Sequence, residues 1–320
     1  MTHRLSIERI EEAFETIDPV FLRTPQYLNE SLAEVLGTRL ILKVETLNPI
    51  RSFKGRGADF LLSKADSNIP LMCASAGNFG QAMAFACRKR KIKLTVFAST
   101  RANPLKVERM RSLGAEVILI GDDFDAAKLE ARNAAKGSGA RFVEDSLDIE
   151  TLEGAGTIGL ELLQYPEPID ALLIALGNGA MINGIGRIFK ARSPKTEIIA
   201  IQAQGAPAMV DSWRKKSLVS HERVNTIADG IAVRIPVPEA LADMEGIVDD
   251  AILVQENSII KAMNLLHLHA GLVSEPSGAV GVAALLENTS RFRGKTVATI
   301  VCGGNVTAQQ LSQWFGQADI

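Results

Sequence analysis

Cysteine is scarce in this chain: three residues in 320, Cys73, Cys87 and Cys302, with no Cys-x-x-Cys pair and no Cys/His spacing. That excludes a disulfide framework and a zinc site of the usual spacing. An excess of one charge is missing too. Lys+Arg 35 against Asp+Glu 37 leaves a formal net charge of −2, which offers no footprint for nucleic acid or an anionic membrane. The basic runs are short. Arg88-Lys89-Arg90-Lys91 falls at the end of an expected helix, where cations are favoured, and Arg214-Lys215-Lys216 reads as a solvated patch. No stretch approaches the roughly 20 apolar residues of a membrane span. The first eight residues lack the apolar run of a signal peptide, so a cytoplasmic protein is expected. Repeats and low-complexity segments are absent, and Trp213 and Trp314 point to no particular chemistry.

What is present is an α/β alternation. Apolar positions at Leu5, Ile7, Ile10, Ala13, Phe14 and Ile17 predict a helix that Pro19 ends. Strands are expected at 39–45, 71–74, 94–98, 117–120, 171–176, 198–201 and 296–301. Between them the pattern predicts helices at 57–64, 81–90, 104–113 and 123–136, and another running to about residue 191. Alternation of this kind implies parallel strands with crossover helices, and the length fits about two domains. Residues 205–249 are the least regular, with turns at Pro236 and Pro238.

Three loops follow strands and open onto helices or the chain's end: Ser75-Ala76-Gly77-Asn78, Gly177-Asn178-Gly179-Ala180-Met181 and Cys302-Gly303-Gly304-Asn305. In open α/β sheets ligands bind beyond the carboxyl ends of the strands, so these loops predict a shared pocket. The Gly177 loop fits an anion site, whose small residues let backbone N–H groups close on a phosphate, or an ordinary tight turn. A dinucleotide site does not fit. Ile182 stands where the third glycine of that fingerprint belongs, and Gln202 stands where its ribose-binding acid belongs. A fourth stretch, Ser52-Phe53-Lys54-Gly55-Arg56-Gly57, sets a lysine at a strand-to-helix junction. Such a lysine is a solvated charge or, where its neutral form is favoured, a Schiff-base nucleophile.

With Lys43-Val44-Glu45, Thr226-Ile227-Ala228-Asp229-Gly230 and Glu275-Pro276-Ser277-Gly278-Ala279, these segments stand in one order along nearly the whole chain. The set resembles the threonine/serine ammonia-lyases (dehydratases) of the fold-type II pyridoxal-phosphate enzymes and, more distantly, threonine synthases and serine racemases. The resemblance implies two open, mostly parallel twisted-sheet α/β domains of the tryptophan synthase β-like kind: residues 1–42 with 147–320, and a smaller inserted domain at 43–146. It implies pyridoxal 5′-phosphate as cofactor, a small amino-acid substrate and a homodimer. Lys54 would be the Schiff-base lysine and proton shuttle, with Phe53 packed near the ring. Asn78 would hydrogen-bond the ring's 3-oxygen, and Cys302 would face the pyridine nitrogen. Gly177, Asn178, Gly179, Ala180 and Met181 would cradle the phosphate, while Ser75, Ala76, Gly77 and Asn78 would hold the substrate carboxylate with Gly230 nearby.

The departures matter as well. Serine racemases place a serine acid/base where this chain has Ala76, and alanine moves no proton, so racemisation is disfavoured. The segment matching their metal site, 203–210, has no carboxylate, and no metal is expected there. Asn178 and Ala180 interrupt the glycine run usual in dehydratases, and threonine synthases carry a Gly-Asn pair there, so a β/γ-replacement enzyme stays open. A binding relative without turnover is argued against by the intact Lys54, Asn78 and Gly177 loop. The sequence runs only a short way past the Cys302 loop, so the C-terminal regulatory domain that the resemblance gives biosynthetic dehydratases is not expected. Glu275 reads as a pocket-wall or salt-bridged residue, and Arg56 as solvent-facing or a brace. Asp122, Asp123 and Asp125 read as an acidic helix N-terminus. His267 and His269, two apart on one expected helix, read as neither ligand nor base.

Overall fold

The computed structural model describes residues 3–315. Their strands form two sheets. The larger has the order β1 (Gln26–Leu28), β2 (Arg39–Val44), β10 (Thr296–Val301), β7 (Ala171–Ala175), β8 (Glu197–Ala203), β9 (Asp250–Val254). The smaller has the order β5 (Glu116–Leu119), β4 (Leu94–Ala98), β3 (Leu71–Ala74), β6 (Arg141–Val143). Every neighbouring pair is parallel except β1 and β2. Strands β7 and β10 are buried at every position. That is why they read as continuous apolar runs rather than alternating ones: helices cover both faces of a parallel sheet.

Two helices begin earlier than the sequence predicts. The helix expected from residue 57 runs Lys54–Ser63, and the one expected from residue 81 runs Asn78–Arg90. Glycine disfavours a helix interior, yet at Gly57 tertiary packing overrides that cost. A Cβ there would fall 2.6 Å from the Thr151 carbonyl oxygen on the helix Ile149–Leu162. That second helix packs in the same way on the helix Ala180–Arg192, where a Cβ at Gly184 would lie 2.6 Å from the Gly156 nitrogen. Small residues therefore join three helices in series. The first carries Lys54 and the third opens at the Gly177 loop. Ile149–Leu162 lacks an amphipathic stripe because it is buried on nearly all sides.

Arg56 is a brace and does not face solvent; its side chain is fully buried. Its Nε and Nη2 donate to Glu45 at 2.9 and 2.8 Å, and Nη1 donates to Glu161 at 2.7 Å. Nη2 also donates to Glu161 at 3.1 Å, and the Thr157 and Thr24 hydroxyls accept further bonds at 3.0 and 3.2 Å. Lys43, buried on β2, pairs with Glu161 and donates to the Thr24 carbonyl at 2.8 Å. Two cations and two carboxylates thus balance inside the core and tie β2 to two of the three helices.

Removing one partner from such a cluster strands a buried charge. Arg56→Met is expected to lower unfolding stability by about 3–5 kcal/mol in a urea titration; a loss below ~1 kcal/mol contradicts the bracing role. Glu161 adds a pH signature. Burial alone would raise its pKa, but the hydrogen bonds and charges of Arg56 and Lys43 more than offset this, so it sits below the ordinary 4.5. Its stabilisation is complete above that value and is lost as pH falls through the lower folded-state value. Urea stability is expected to fall with acidification on that side, and Glu161→Gln to remove part of the slope.

Candidate active site

Beyond the carboxyl ends of the strands lies a cleft of about 210 Å³. It is lined by Phe53 and Lys54, by residues 75–79, by residues 177–181, by residues 229–233, and by Glu275, Ser277 and Cys302. All thirteen residues singled out in the sequence as site residues therefore meet in one place: Phe53, Lys54, Ser75, Ala76, Gly77, Asn78, Gly177, Asn178, Gly179, Ala180, Met181, Gly230 and Cys302. A second concavity of about 480 Å³ crosses the outer helices beside Leu160; of its charged residues Glu11, Glu15 and Arg192, the first and last pair with each other. Nothing there is poised to react.

Lys54 is the first residue of its helix, so its side chain leaves at the cleft. Its Nζ lies 4.7 Å from the centre of the Phe53 ring and 2.5 Å from Asp145 Oδ2. Asp145 belongs to the connection after β6, and nothing in the sequence marked it. The Phe53 N–H donates to the Cys302 carbonyl at 3.1 Å, and Ser52 bridges to Gly303, so the lysine segment and the Cys302 loop are bound backbone to backbone. Cys302 is buried, with Sγ 3.6 Å from the Ser277 carbonyl oxygen. Burial, then the charge of Glu275, pushes its thiol well above the ordinary range, so the sulfur stays a neutral S–H.

The Ser75 hydroxyl shapes the loop that follows it by accepting from the Gly77 and Gly80 N–H groups at 3.1 and 2.9 Å. In the Gly177 loop, Gly179 has φ of +97°, a conformation side chains disfavour, and a Cβ there would lie 2.9 Å from Asn183 Nδ2. It caps the helix Ala180–Arg192, whose first N–H groups face the loop. Opposite, Lys106, nearly buried, pairs with Asp229 at 2.6 Å. Lys106 sat inside an expected helix with no signal to distinguish it.

The wall fits pyridoxal phosphate. Among the described residues, Asn178 Oδ1, Ser277 Oγ and Asp145 Oδ1 are buried with no hydrogen-bond partner. Buried polar atoms are rarely left so, and these three call for a polar guest. A primary amine for an aldehyde and a glycine-lined helix start for a phosphate stand on the same cleft.

Residues 17–303 match the family model described as pyridoxal-phosphate dependent enzyme. The chain is 34% identical to the L-threonine ammonia-lyase of Thermotoga maritima over 97% of its own length and 78% of that protein's. It is 32% identical to the catabolic L-threonine dehydratase of Staphylococcus aureus, covering 97% of this chain and 92% of the relative. Among solved structures it is similar to a threonine deaminase from the organism abbreviated T.th., with TM-score 0.89, 30% identity and coverage of 95% of this chain and 99% of that one. Maize serine racemase superposes with TM-score 0.89, 28% identity and coverage of 96% of each chain. The chain belongs to the pyridoxal-phosphate dependent enzymes, and its two-sheet architecture is their fold type II.

Gly179→Ala is expected to weaken pyridoxal phosphate binding about tenfold, through strain at the positive φ and crowding of Asn183. Pyridoxal, which lacks the phosphate, should bind both proteins alike. Equal affinity of variant and parent for pyridoxal phosphate would place the phosphate elsewhere.

Proposed function

We propose that this protein is a cytoplasmic pyridoxal-phosphate ammonia-lyase that converts L-threonine or L-serine to a 2-oxo acid and ammonia. One observation carries the reading: the Lys54 amine, the Gly177 loop and the 75–78 loop line a single cleft. The names of the relatives in both comparisons point to the same substrate class.

Lys54 would carry the cofactor, residues 177–181 would hold its phosphate, and Asn78 and Cys302 would meet its ring. Bound there, pyridoxal phosphate supplies the electron sink for the charge left at the substrate's Cα. The Lys54 amine would remove the proton from Cα. Asp145, 2.5 Å from Nζ, is placed to hold the lysine amine by a hydrogen bond at the mouth of its helix. Residues 75–78 receive the substrate carboxylate and fix the Cα–H bond toward Lys54. Cys302, buried as a neutral thiol, would offer a ring nitrogen only a weak partner, which would limit charge build-up and suit loss of the β-hydroxyl. Ala76 has no exchangeable proton to deliver to the opposite face of Cα, so residual substrate is expected to remain L. The same reading divides the chain into 1–42 with 147–320 and an inserted 43–146, which holds the smaller sheet and shares β2 at its boundary. It also makes the enzyme a homodimer.

The test is an absorbance spectrum of the loaded protein before and after L-threonine or L-serine, with 2-oxo acid release followed alongside. A cofactor band that shifts as oxo acid appears is expected. A band without oxo acid moves the reading to β- or γ-replacement, in the manner of threonine synthases. Lys54→Ala should lower oxo acid release by at least ~1,000-fold while the far-ultraviolet circular dichroism stays unchanged. Release within tenfold of the parent would remove Lys54 from the mechanism.

A further inference from the structure

Among the buried charges on the cleft wall that the proposed mechanism leaves unused is a carboxylate. Glu275, 2% exposed, stands before the helix Pro276–Glu287. Its Oε1 accepts from Asn78 Nδ2 at 2.6 Å, and its Oε2 accepts from the Asn305 N–H at 3.1 Å. Asn305 Nδ2 in turn donates to Asn78 Oδ1 at 2.8 Å and to the Ile50 carbonyl at 2.9 Å, while Asn305 Oδ1 accepts from Arg109.

The donor and acceptor roles in this chain can be fixed only one way. A guanidinium only donates and a backbone carbonyl only accepts, so Asn305 turns its oxygen to Arg109 and its NH₂ to Ile50 and Asn78. Asn78 must then offer its oxygen to Asn305 and its NH₂ to Glu275, which as a carboxylate only accepts. Among the described residues Glu275 is the one acceptor of Asn78 Nδ2, so the second N–H of that amide is free for the cleft that Asn78 lines. An amide with oxygen and nitrogen exchanged would present an acceptor there instead. Burial raises the Glu275 pKa, and the nearby Lys106 ammonium opposes that rise.

We propose that Glu275 and Asn305 are positioning residues that lock the Asn78 amide in one orientation, so that it meets the cofactor's ring oxygen with an N–H donor. This rests on the reading that Asn78 faces the ring. A structural role for Glu275 alone predicts lost stability and nothing more; the locking role predicts that Glu275 acts on the cofactor only through Asn78.

The test is a double-mutant cycle on the cofactor-loaded protein with Asn78→Ala, Glu275→Gln and the double variant. It reads the apparent Kd for pyridoxal phosphate and the wavelength of the bound cofactor's band. Glutamine cannot accept from both donors at once, so it sets the amide free to turn. Each single variant is expected to weaken binding about tenfold and to shift the band in one common direction. The double variant should lie within about twofold of Asn78→Ala alone. Effects that multiply, or a Glu275→Gln protein with parental band and affinity, overturn the proposal. A silent Asn78→Ala overturns it as well, while a parent protein with no cofactor band sinks the functional reading beneath it. Should Glu275→Gln fail to fold, Asn305→Asp puts the question from the other side. It sets an acceptor against Asn78 Oδ1, and its effect should likewise vanish in the Asn78→Ala background.

Discussion

Arg56 enters the core two residues after Lys54, and Glu45, Glu161, Thr157 and Thr24 take all of its N–H donors there. The position of the reactive lysine follows from this. A helix that begins at Lys54 without a side-chain cap would fray at its first turn, the turn the chemistry uses. A planar guanidinium held by two carboxylates fixes that turn in angle as well as distance, which a single ammonium could not do. Burying four charges gives little net stability, so the cluster is better understood as a device for geometry. Lys43 completes its charge balance from β2.

From that fixed point the cleft is assembled by contact. The helix of Lys54 meets the helix Ile149–Leu162 at Gly57, and that helix meets the start of Ala180–Arg192 at Gly184. Backbone lies on backbone at both crossings. The lysine and the phosphate loop are therefore held at a set separation with little side-chain play between them. Across the cleft a second polar chain, running from Arg109 through Asn305 and Asn78 to Glu275, orients the other wall. The backbone bonds from residues 51–53 to the Cys302 loop join the two walls.

The sequence made the site legible because its loops announce themselves. Glycines, a serine and an asparagine crowd between apolar strands, and their order along the chain matches one family. The partners that hold those loops were not legible. Asp145 and Lys106 lie at ordinary positions in sequence, and only the fold brings them to the cleft. Arg56 read equally well as a surface charge, because sequence does not show that Glu161, 105 residues away, waits in the core. The early starts of two helices were missed for the same reason. Glycine near a helix start weakens local propensity, and the compensating contact at Gly57 is with a residue far along the chain. The helix Ile149–Leu162 was hidden by its own burial, since a helix covered all round carries no periodic stripe.

The most direct test of the account is to trap the cofactor where it sits. Borohydride reduction of the loaded protein, followed by proteolysis and mass analysis, fixes the pyridoxyl phosphate group to whichever amine holds it. The account predicts the label on Lys54. A label on Lys106 or Lys128, the other lysines lining the cleft, would contradict it.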